Sequence, residues 1–110
     1  DPTITAIAPQ ADGRVWFGTM RGLGRFNGLR MLDVPGPQGR FENAVRDVAA
    51  TPDGRVWVSV VREGTFVREG SQWRSAGIER GLPGPHALRL RWFPDEGGGT
   101  GYRMFATTQG

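Results

Sequence analysis

Short β-branched and aromatic runs alternate with Gly, Asp-Gly and Pro signals along the chain, and no stretch of ten residues keeps a helical period. The pattern predicts strands at residues 4–8, 14–19, 23–26 and 29–34. Asp12-Gly13 and Asn27-Gly28 lie between them, and each predicts a type I′ hairpin because Gly supplies positive φ there. Pro35-Gly36-Pro37 then breaks the pattern. A second set of strands follows at residues 45–49, 55–60, 65–68 and 72–75. Almost no helix is expected.

The two sets are copies of one unit. Asp12-Gly13-Arg14-Val15-Trp16 recurs letter for letter as Asp53-Gly54-Arg55-Val56-Trp57, a step of 41 residues. Gly22 and Gly28 recur as Gly64 and Gly70 at a step of 42, so one residue is added between Trp57 and Gly64. A third copy is fainter. Leu90, Pro94 and Asp95 lie 42 residues after Val48, Pro52 and Asp53. Glu96 to Thr100 then reads as five extra turn residues, and Met104 falls 88 residues after Trp16. Trp16, Trp57 and Met104 would thus share one repeat position. A period of 41 to 42 made only of strands belongs to β-propeller blades. The expected fold is all-β: a β-propeller fragment of about two and a half four-stranded antiparallel blades, at about 4–34, 45–76 and 87–110, the last incomplete. Trp16 and Trp57 are expected to be buried between blades, and Phe26, Met31 and Trp73 to be core as well.

Composition narrows the classes. With 110 residues and 37% hydrophobic positions the chain can bury a modest core. It has no Cys, which removes disulfides and thiolate metal sites. All 14 basic residues are Arg, which reads as the codon usage of a GC-rich bacterial genome. They are spread from Arg14 to Arg103 among 11 acids, whereas a nucleic-acid stripe would cluster them. No apolar run reaches the 18 residues a membrane span requires. No membrane contact and no nucleic acid are expected for this segment.

Ile4 to Ala8, then Asp12-Gly13-Arg14-Val15-Trp16-Phe17-Gly18-Thr19, then Gly22 to Gly28 resemble the two-component regulator propeller repeat. The second unit resembles it too, with Ser59 where that family usually has Gly, and Gly81-Leu82-Pro83 looks like its inter-blade connection. The resemblance implies the sensor propeller of a bacterial histidine kinase-type signalling protein, extracytoplasmic or periplasmic and anchored to the inner membrane. It further implies the remaining blades of the same protein as partners and a homodimer at full length. As an isolated piece, the segment is expected to aggregate, oligomerise or stay partly unfolded.

No residue set for catalysis stands out, and no cofactor or metal is expected. His86 is the only His and has no second ligand or nucleophile at a useful spacing. Gly22-Leu23-Gly24 lacks the third Gly and the helix of a phosphate loop. What remains is propeller geometry, in which loops at one end of the blades can face a shared pocket. Arg21, Asn43, Arg62 and His86 are the candidate contacts there, to a small anionic or glycan-like ligand. The plainer reading of each is a solvated loop residue. Two other functions compete with sensing: a structural or protein-docking propeller, and a propeller enzyme similar to the streptogramin lyases.

Overall fold

The computed structural model describes residues 3–76, 89–97, 99 and 101–107. Its elements follow the sequence period. Strands β1 (Ile4–Pro9), β2 (Val15–Thr19), β3 (Gly22–Phe26) and β4 (Met31–Val34) form one antiparallel sheet in chain order. Strands β5 (Val45–Ala50), β6 (Val56–Val60), β7 (Gly64–Glu69) and β8 (Gln72–Ser75) repeat it, and β9 (Arg89–Pro94) pairs with β10 (Tyr102–Thr107). No helix forms among the described residues. Among the described residues no strand of one sheet pairs with a strand of another. They stack through their first strands, β1 on β5 and β5 on β9. The architecture is all-β, with consecutive antiparallel sheets packed face to face as propeller blades are.

Alternation of side chains along each strand assigns one face of each sheet to the preceding unit and the other to the next. Ala8, Trp16, Leu23 and Val34 of the first sheet meet Val45, Val48, Val56 and Val58 of the second. Val45 and Val58 are fully buried, and burying a Val side chain stabilises by about 1.5–3 kcal/mol. Phe41, from the β4–β5 connection, caps this core against Phe66 and Trp73, with ring centroids 5.8 Å and 5.6 Å away. Gly18 lets the sheets meet: a Cβ placed there would lie 2.6 Å from Val45 Cγ1. Two side-chain links tie the inner strands together. The Thr5 hydroxyl donates to the Val45 carbonyl. The buried Asp47 carboxylate accepts from the Leu90 amide at 2.7 Å and from Arg91 Nη1 at 3.3 Å.

Trp16 and Trp57 hold one repeat position, pairing with Ala8 and Ala49 in the same register. Their indoles donate to the side chains six residues upstream, Gln10 Oε1 and Thr51 Oγ1. Trp16 is 2% exposed, as the repeat predicts, while Trp57 is only half-buried.

Four expectations are corrected. The Asp-Gly turns are not type I′. Gly13 and Gly54 donate to the carbonyls of Gln10 and Thr51 three residues back, and in these turns only the Gly has positive φ, at 92° and 87°. That is a type I turn followed by a glycine bulge, a three-residue loop. The Asn27-Gly28 turn likewise has only Gly28 at positive φ, which fits type II′. Phe26 and Met31, expected in the core, are exposed, because their register puts them on the Ile7 face of the first sheet, turned away from the second unit.

The fourth correction concerns Met104. Phe105, not Met104, takes the repeated Trp position. Arg91, which lies 42 residues after Ala49, pairs with Phe105, and Met104 pairs with Trp92. Tyr102 has the same parity as Met104, and its hydroxyl reaches Asp53 in the second unit, so Met104 faces backward. Ala49 to Trp57 spans eight residues and Arg91 to Phe105 spans fourteen, so the turn gains six residues, not five.

Candidate functional site

The antiparallel registers settle which loops share an end of the blades. Thr19 pairs with both Ile4 and Gly22, and Leu23 pairs with Val34. The start of β1, the β2–β3 turn and the β4–β5 connection therefore lie together, opposite the Asp-Gly turns. At this end the β2–β3 turn is braced locally. The Arg21 amide donates to Thr19 Oγ1 at 3.0 Å, and that hydroxyl donates to the Gly22 carbonyl at 3.2 Å.

A cleft of about 330 Å³ opens here, with Arg21, Arg40 and Asp33 at its polar wall and Phe17 and Phe41 among its apolar lining. Phe17 lies over Gly24, where no side chain has room. The cleft thus offers two guanidiniums, one carboxylate and ring surface. That set suits a ligand with an anionic or hydroxyl-rich edge and an apolar face, because Arg presents a planar fork of donors.

A second cleft of about 460 Å³ adjoins it and shares Arg40 and Phe41, with Asn43 and Glu63 on its other side. Glu63 organises this side. Its Oε2 accepts from the Glu42 amide at 3.1 Å, the Asn43 amide at 3.0 Å and Asn43 Nδ2 at 3.0 Å. The residue before it, Arg62, is the non-glycine residue with positive φ among the described residues, at 68°. The residue added to this turn relative to the first unit forces that conformation, for which Gly or Asn is usual.

The four sequence candidates fare differently. Arg21 lines the first cleft. Asn43 lines the second, with its side-chain amide bonded to Glu63. Arg62 is exposed and lines neither. His86 lies outside the described residues. Arg40, Asp33 and Glu63 were not singled out. Arg40 and Glu63 sit in the loops that propeller geometry points to. Asp33 sits in a fourth strand, and its only sequence signal is the parity it shares with Gly24, its partner in register.

Asp53 holds a separate polar network at the opposite end. It accepts from Tyr102 at 2.7 Å and Thr51 at 2.7 Å and pairs with Arg55 at 3.3 Å. Burial alone would push its carboxyl up. The Tyr102, Thr51 and Arg55 hydrogen bonds, together with the Arg55 charge, outweigh burial and hold it below its ordinary value. Among the described residues no group of three or more His, Asp or Glu is placed to hold a metal ion, and no helix is long and apolar enough to cross a membrane.

Residues 1–21 match the family model of the two component regulator propeller. Over that stretch the chain is similar to one two component regulator propeller repeat. The matched stretch contains β1, β2 and the turn with Arg21 that borders the first cleft. The second unit of the propeller repeats the same strand register and the same Trp-to-side-chain hydrogen bond. No curated protein and no solved structure matches the chain.

Proposed function

We propose that this chain is part of the sensory propeller of a bacterial signalling protein, where it binds a ligand or relays a signal. The observation that carries the reading is the propeller repeat at residues 1–21, whose family takes its name from two-component regulation. The cleft beside that repeat supports it. Loops on a rigid sheet scaffold are the usual place for binding groups, and this cleft joins two Arg, one Asp and two Phe. In this reading the propeller is extracytoplasmic, belongs to a membrane-anchored histidine kinase-type protein and acts as a homodimer. Its ligand is a small anionic or glycan-like molecule, and the segment performs no catalysis itself.

The test is a binding screen of the protein carrying this chain against acidic sugars and carboxylates, with Arg21→Ala and Arg40→Ala as comparisons. Each guanidinium contributes charge-assisted hydrogen bonds, so each variant should weaken binding about tenfold or more. A ligand held equally by both variants and the unaltered protein would refute the cleft as the sensing site.

A further inference from the structure

The junction between the first two units holds a second cationic feature. Arg25 on β3 and Arg68 on β7 both lie over the Trp16 ring, with guanidinium carbons 5.3 Å and 5.1 Å from its centroid. Arg68 also lies 5.9 Å from the centroid of Trp73. Strand parity explains the convergence. Arg25 pairs with Trp16, and Arg68 pairs with Trp73, so all four side chains stand in the same inter-sheet space.

Two like charges are thus brought together on one indole. Among the described residues neither Arg25 nor Arg68 forms an ion pair, and the Nε of each is buried without a hydrogen-bond partner. The neighbouring acids are engaged elsewhere. Asp12 pairs with Arg14 at 3.7 Å, and Glu69 pairs with Arg55 at 3.6 Å. Burial first, then the charges of Arg25 and Arg14, hold the Arg68 guanidinium below its ordinary value.

Stacking on an aromatic face stabilises each cation but leaves its in-plane N–H donors unused. Two stacked guanidiniums whose Nε groups have no partner, with no carboxylate paired to either, suit an oxyanion, which would also cancel the repulsion. We propose that the Arg25 and Arg68 groups at this junction bind a phosphate or sulfate group. The chemistry is the same whether that group is free or carried on a sugar. Occupancy would clamp the two units through one group, which gives the site a route to affect the propeller's rigidity.

The test is an NMR titration of the full chain with inorganic phosphate and, in a parallel arm, with a sugar phosphate. The four indole N–H signals serve as internal probes. The Trp16 and Trp73 signals should shift with saturation, while Trp57 and Trp92 stay fixed. Tighter binding of the sugar phosphate identifies a carried group, and equal binding identifies the free ion. Arg68→Gln and Arg25→Gln should weaken binding about tenfold or more, and Arg103→Gln, on the exposed face of β10, should leave it unchanged. Because the unaltered chain alone reports the site, loss of folding in a variant does not block the test. Absence of any saturable shift, or equal shifts of all four indoles, would overturn the proposal.

Discussion

At the scale of single residues, equal repeat positions do not carry equal weight. Trp16 is covered by the second unit, and Trp16→Ala should cost about 3–5 kcal/mol in denaturant unfolding. Trp57→Ala should cost less, because its indole is only half-buried. A larger loss at Trp57 than at Trp16 would contradict the packing order. Arg62 sits in a left-handed conformation that costs an L side chain about 1–2 kcal/mol. Arg62→Gly should therefore raise stability by up to about that amount, and an unchanged or lower midpoint would show that the Arg side chain compensates. The Asp53 carboxyl is depressed in the folded state, so the stability it contributes is present above its unfolded value, ordinarily 3.8, and is lost as the pH falls through the lower folded value. Tyr102→Phe removes one hydrogen bond to the carboxylate and should shrink this acid-side loss of stability, as followed by unfolding at successive pH values.

At the scale of strands and turns, most of the fold was legible because both signals are local. Exact recurrence of Asp-Gly-Arg-Val-Trp set the period, and Gly and Pro punctuation set the strand ends to within a residue or two. What was not legible depends on partners across space. Asp-Gly marks a turn, yet whether it closes as a two-residue or a bulged three-residue loop is decided by the strand register. The Met104 position failed because a Gly-rich insertion has no internal ruler, and one residue of error turns a strand over. In the candidate site, Arg21 was found from loop geometry, while Asp33 required knowing which strand face borders the cleft. The close approach of sheets at Gly18 gives an element-scale test. Gly18→Ala should destabilise by about 1–3 kcal/mol, and Val45→Ala in the same chain should recover part of that loss, since the added Cβ meets the Val45 side chain. Additive losses would show that the two sheets do not meet there.

At the scale of the whole chain, each sheet uses one face for the unit before it and one for the unit after it. The outer face of the first sheet carries Ile7 at 62% exposure, and the outer face of the third carries Phe93 and Phe105 at 56% and 48%, their rings 5.5 Å apart. Apolar surface of this kind is what neighbouring blades cover in a repeat fold. The 110 residues alone are thus expected to self-associate, with light-scattering mass rising with concentration, and a monomer at every concentration would contradict the exposed-face reading. The stacking order itself is tested most directly by nuclear Overhauser contacts between sheets together with amide exchange. Contacts from Gly18 to the Val45 methyls, slow exchange of the Leu90 amide held by Asp47, and loss of that protection in Asp47→Ala are expected of consecutive propeller units. Backbone hydrogen-bond pairing between β1 and β5 would mean that they belong to one sheet, and the chain would then not be a run of propeller blades.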